Sequence, residues 1–121
     1  MTDIFPLLFA AHMLGDWIIQ TDKQALSKMV SWRGMAGHVF TYHCVMALFV
    51  LPFWHDRWAA LGFVISAASH GFIDRRWPVR WLLRKTGSKN FAELQLGVLS
   101  ADQALHAFFL AMMAVMFQLT R

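Results

Sequence analysis

The chain is poor in the groups that most often explain a small protein. Cys44 is its only cysteine, so no internal disulfide can hold the fold. Charged residues make up 15% of the chain, where a soluble domain carries about 25%. The opening segment, Met-Thr-Asp-Ile-Phe-Pro, has no basic n-region, and no small-residue cleavage site follows it. No cleavable signal peptide is expected. There is no internal repeat at a fixed period.

What is present is apolar. The chain is 58% hydrophobic, against about 45–50% in soluble domains, and its mean hydropathy is +0.45. Its 121 residues suffice for one domain, residues 1–121. Four apolar runs stand out, Ile4 to Ile19, Met35 to Trp54, Trp58 to Ile73 and Gly97 to Leu119. A spanning helix needs about 17–25 residues. The second and fourth runs meet this, and the first and third do so with their polar ends. The expected fold is all-α, an integral membrane four-helix bundle with antiparallel up-down topology.

Charge sets the orientation. The connections Thr21 to Gly34 and Asp74 to Leu96 hold nine of the eleven Lys and Arg residues, and Arg57 and Arg121 are the others. The positive-inside rule places both connections in the cytoplasm and both termini outside, in a bacterial inner membrane. Trp17, Trp32, Trp77 and Trp81 then mark the inner interface, and Trp54 and Trp58 the outer one. Trp77 to Lys85 mixes basic and aromatic residues, which suggests a short amphipathic segment between helices three and four. Arg76, Arg80, Arg84 and Lys85 are its candidate contacts to anionic lipid headgroups. Asn90 and Glu93 have capping-box spacing, so the last helix is expected to begin well before its apolar part. Expected partners are membrane lipid and a second copy of the chain, with no nucleic acid.

The chemistry lies in a recurring pair. His12 and Asp16 are four residues apart, as are His70 and Asp74, and Asp102 and His106 repeat the spacing in reverse order. Residues four apart share a helix face. In an up-down bundle the reversed pair sits on a helix of opposite direction, so all three pairs put Asp nearer the cytoplasm and His one turn deeper. His38 reaches the same level from the second helix. Ionisable groups in hydrocarbon normally face the bundle interior, paired or coordinating. His12, Asp16, His38, His70, Asp74, Asp102 and His106 are therefore seven candidate ligands for a divalent transition metal, zinc foremost, with iron or manganese as alternatives. Haem held between two histidines would also use the imidazoles, but it strands three aspartates and is disfavoured. His–Asp hydrogen bonds that join helices would account for the same pairs without any ligand.

The patterns His12-x-x-x-Asp16-Trp-x-x-Gln20, Ser69-His70-x-x-x-Asp74 and Asp102-Gln103-x-x-His106 resemble a small bacterial and phage membrane-protein family, domain of unknown function 3307. That family is in turn similar to proteins described as membrane-bound metal-dependent hydrolases. The implied activity is hydrolysis of a lipid or another ester, amide or phosphoester at the cytoplasmic interface. The expected general base is Asp102 or Asp16, with Asp102 favoured for its neighbour Gln103. The alternative is a metal- or proton-linked membrane protein without turnover, such as a transporter subunit, a sensor or an envelope modulator.

Overall fold

A computed structural model describes residues 3–119, and every regular element among them is helical. Met1, Thr2, Thr120 and Arg121 lie outside the described residues, and with them one basic residue of the outer group and both chain ends.

α1 spans Phe5–Met13, with Pro6 in its first turn, and runs directly into a π-helical turn, Leu14–Ile18. The wider turn brings Gly15 against Tyr42, whose ring would lie 2.9 Å from a Cβ at that position. α2, Asp22–Val30, lies in what reads from the sequence as a plain basic connection. Its start is a full capping box: Thr21 Oγ1 accepts from Gln24 N, and Gln24 Oε1 accepts from Thr21 N. Ser31 ends α2 and caps α3, Trp32–Val50, which a 3₁₀ turn at Pro52 extends to Phe53. Asp56 caps α4, Arg57–Ile73, by accepting from the backbone of Trp58 and Ala59.

The turn after α4 passes through Arg76, whose φ of 61° makes it the one left-handed non-glycine among the described residues. α5 follows as Trp77–Lys85, the amphipathic segment expected there. Val79 is buried and Leu83 packs beside it against Ile73 and Val98, while Trp77, Trp81, Arg80 and Arg84 face outward. The expected cap of the last helix is not made. α6, Lys89–Glu93, is a separate short helix with no side-chain cap, and Glu93 instead accepts from Arg84. The chain breaks at Leu94 before α7, Gln95–Gln118. Gly97 allows that break, because a Cβ there would collide with the Phe91 carbonyl.

α1, α3, α4 and α7 close a ring, each packed on the next, and α2 lies on α3. Ile4, Leu8, Tyr42, Met46, Val50, Leu110, Met113 and Phe117 fill one end of the ring. Ile73, Val79 and Val98 form a second apolar cluster under α5. The outward faces are apolar too: Phe40 and Leu48 are each 73% exposed, and all six tryptophans are exposed. Two segments, Trp32–Phe53 and Gln95–Gln118, are long and apolar enough to cross a membrane. The other two are shorter than the expectation of four full spans. Phe5–Ile18 falls below the required length, and α4 with 17 residues stands at its lower edge.

Candidate metal centre

Each helix of the ring contributes to one buried polar cluster. His12 and Asp16 come from α1 and its π turn, His38 from α3, His70 from α4, and Asp102 and His106 from α7, with Asp74 as the cap residue of α4. All seven are at most 4% exposed. Most of these side chains converge, and one does not.

The tightest group is Asp16, His38, His70 and Asp74. His38 Nε2 lies 3.2 Å from Asp16 Oδ1, 3.0 Å from Asp74 Oδ2 and 3.0 Å from His70 Nε2. His70 Nε2 lies 3.4 Å from Asp74 Oδ2 and 3.9 Å from Asp16 Oδ1. Bonds of about 2.0–2.1 Å to a tetrahedral zinc imply edges of about 3.3 Å between ligand atoms. The four donors therefore fit a metal in shape and in ligand type.

A cation of the chain's own stands against that quartet. Lys28, from α2, inserts its ammonium and donates to Asp16 Oδ1 at 2.9 Å and to Asp74 Oδ2 at 2.7 Å, with His38 Nε2 at 3.5 Å. Burial disfavours the Lys28 charge, but Asp74 and Asp16 outweigh it and raise the amine above its usual range. Burial likewise pushes the Asp74 carboxyl upward, but hydrogen bonds from His38 and His70, with the Lys28 charge, hold it well below the usual carboxylate range. Arg75 fixes the helix that carries the lysine: its guanidinium lies 4.6 Å from the Trp32 ring centre and donates to the Lys28 carbonyl at 3.3 Å.

A second group shares Asp74. Asp74, Asp102 and His106 offer ligand atoms that all lie within 4.8 Å of one another. Asp74 Oδ1 lies 3.5 Å from His106 Nε2, so the two oxygens of this carboxylate face different groups. His106 Nδ1 donates to the Asp102 carbonyl at 3.0 Å. Asp102 Oδ1 is also close to that nitrogen, at 2.8 Å, but the N–H is aligned on the carbonyl. Asp102 Oδ1 and His106 Nε2 are both buried without a hydrogen-bond partner.

His12 is engaged elsewhere. Its Nε2 donates to Gln103 Oε1 at 3.1 Å, which leaves Nδ1 to accept from the Tyr42 hydroxyl at 3.1 Å. Both ring nitrogens are used, so His12 is not among the converging donors. Gln103, read from the sequence as a neighbour for Asp102, serves His12. His43 is also set apart, donating to the Val39 carbonyl and facing Ser66.

The cluster opens into a polar cavity of about 200 Å³. Its wall includes Asp16, Asp74 and Asp102, with Gln20, Lys28, Arg76 and Gln103. The aspartates thus stand at the mouth and the imidazoles below them. Arg76 also lines a neighbouring surface cavity with Arg75, Trp77 and Arg80. Arg84 is paired with Glu93 at the surface, and Lys85 is exposed.

Lys28 and Tyr42 escape a reading of the sequence. Lys28 looks like one of several loop lysines, although the Thr21/Gln24 capping box does mark a helix around it. Tyr42 is the only tyrosine of the chain and lies four residues beyond His38, which was its one available signal. No curated protein and no solved structure matches the chain. A family model matches residues 4–121, nearly the whole length, and the chain accordingly belongs to the family described as protein of unknown function (DUF3307).

Proposed function

We propose that the chain spans a membrane as four helices and acts as a metal-dependent hydrolase on a lipid or another ester, amide or phosphoester at the cytoplasmic interface. The observation that carries this reading is the convergence of three buried carboxylates, which line a polar cavity, with His38, His70 and His106 in two groups that share Asp74. So many ionisable groups are expensive to bury unless they are paired, hold a metal or react. A divalent metal held there, zinc foremost with iron or manganese as alternatives, would polarise the scissile group and lower the pKa of water to about 7.

The chain's own residues supply the remaining parts. Asp16 and Asp102 line the cavity, where an aspartate outside the ligand set can take a proton from water and exchange it with solvent. Arg76 stands between the cavity and the neighbouring basic groove, placed to hold an anionic headgroup. Its left-handed backbone costs of order 1–3 kcal/mol, strain of the kind that collects at functional sites. Purified protein in detergent should release headgroup from anionic phospholipid vesicles, and chelator should stop it. Metal-replete protein that turns over no lipid or phosphoester would remove the hydrolase reading.

The membrane reading is supported by the two long apolar helices, the exposed apolar faces and the exposed tryptophans. The cavity mouth lies beside Lys28, Arg75 and Arg76, at the basic end of the bundle. Reporter fusions after residue 121 should therefore be active only outside the cytoplasm. Activity confined to the cytoplasm would overturn this topology.

One observation favours a second reading. Lys28 satisfies Asp16 and Asp74 as a salt bridge would, which suits a metal- or proton-linked membrane protein without turnover. Metal that binds with no hydrolysis in any lipid assay would select it.

A further inference from the structure

The two donor groups around Asp74 are not equivalent, and Lys28 makes the difference. Against the quartet of Asp16, His38, His70 and Asp74, its ammonium lies within 2.9 Å of both carboxylates. A metal ion at the centre of those four donors would stand about one ligand edge, roughly 3 Å, from the ammonium. Two cations that close repel strongly in a buried site. With Lys28 in place, the quartet already has its cation.

The other side of Asp74 has none. His106 donates from Nδ1 to a backbone carbonyl, so the neutral ring carries its lone pair on Nε2. That lone pair faces Asp74 Oδ1 at 3.5 Å, so two acceptors confront each other. Asp102 adds a third acceptor, Oδ1, which lies 2.8 Å from His106 Nδ1 but makes no hydrogen bond, because that N–H is aligned on the backbone carbonyl. Asp102 lines the cavity, but its Oδ1 and His106 Nε2 are themselves buried atoms without a hydrogen-bond partner. Unpartnered buried acceptors of this kind are rare unless something positive belongs among them.

Resting on the metal reading above, we infer that the centre is built for two cations of different origin bridged by Asp74: the ammonium of Lys28 on Oδ2, and one divalent metal on Oδ1 held with Asp102 and His106. Two carboxylates and an imidazole suit zinc, manganese or iron. Three protein donors leave a coordination position open, the pattern of catalytic sites, whereas the quartet would fill all four. Asp102 is then a ligand, and Asp16 is the carboxylate at the cavity wall that remains to take a proton.

The test is metal stoichiometry in detergent-solubilised full-length protein, loaded with zinc or manganese alone, desalted and measured by elemental analysis. Wild type should hold one ion per chain. Lys28→Ala should free the quartet and raise the content to two, and Lys28→Gln serves if the alanine variant does not fold. Lys28→Arg keeps the charge and should stay at one. Asp102→Asn should lose the ion, while Asp16→Asn should keep it. In the Lys28→Ala background, Asp16→Asn should return two ions to one. With manganese, the two-ion variant should also show a spin-coupled paramagnetic spectrum that wild type lacks. Lys28→Ala and Lys28→Gln that fold and stay at one ion would overturn the inference. So would an ion lost with Asp16→Asn and kept with Asp102→Asn, although metal binding itself would survive that result. No ion in any variant would remove the metal reading as a whole.

Discussion

Asp74→Ala is expected to abolish metal binding and to lower stability by about 3–5 kcal/mol, the usual loss when one partner of a buried ion pair is removed. Its carboxylate joins more of the centre than any other group. Oδ2 accepts from Lys28 at 2.7 Å and lies 3.0 Å from His38 and 3.4 Å from His70, while Oδ1 faces His106 at 3.5 Å. Alanine would leave the Lys28 charge buried with Asp16 as its only carboxylate. Asp74→Asn separates the two effects. The amide keeps the volume and one acceptor oxygen, so it should recover part of the stability, but it cannot neutralise two cations and should still bind no metal. Denaturant unfolding of the solubilised protein, read beside metal content, checks both. In the double variant Lys28→Ala/Asp74→Ala the losses should be less than additive, because each single change strands the other's charge. A loss below about 1 kcal/mol for Asp74→Ala would mean that the pair behaves as a solvated surface bridge.

Asp16→Asn is expected to keep one metal ion and to slow hydrolysis by about 10²–10⁴-fold, the range for removal of a general base. Asp16 lines the cavity but stands outside the triad of Asp74, Asp102 and His106. Its Oδ1 holds Lys28 and lies 3.2 Å from His38 Nε2, so the isosteric amide retains an acceptor there while losing basicity. The loss should appear in kcat with little change in KM, since the substitution leaves Arg76 and the basic groove untouched. Asp102→Asn should behave differently, losing metal and activity together. Asp16→Asn with wild-type turnover would remove Asp16 from the chemistry. Equal metal loss in both variants would place both carboxylates in the ligand set.

Much of the centre is legible in local spacing. A four-residue interval on an apolar helix puts His70 and Asp74, or Asp102 and His106, on one inward face whatever surrounds them. The reversed order on α7 follows from the same rule applied to a helix of opposite direction. The apolar runs mark the four helices of the ring, and the mixed composition of Trp77–Lys85 marks an amphipathic helix, because one-sided burial needs only sequence-local periodicity. α2 is less visible. Its nine residues are short for an isolated helix, and its place on α3 comes from packing.

Tertiary contacts decided the rest. Lys28 meets Asp16 across 12 residues and Asp74 across 46, and no local pattern distinguishes it from Lys23, five residues earlier on the same segment. His12 has the same spacing to its aspartate as His70 has, yet Tyr42 and Gln103 claim both of its nitrogens. Residue type and spacing determined that imidazoles and carboxylates would share one buried level. Which nitrogen faces which oxygen, and which cation stands between them, depends on side chains brought together by chain closure, and that choice exists only in the folded protein.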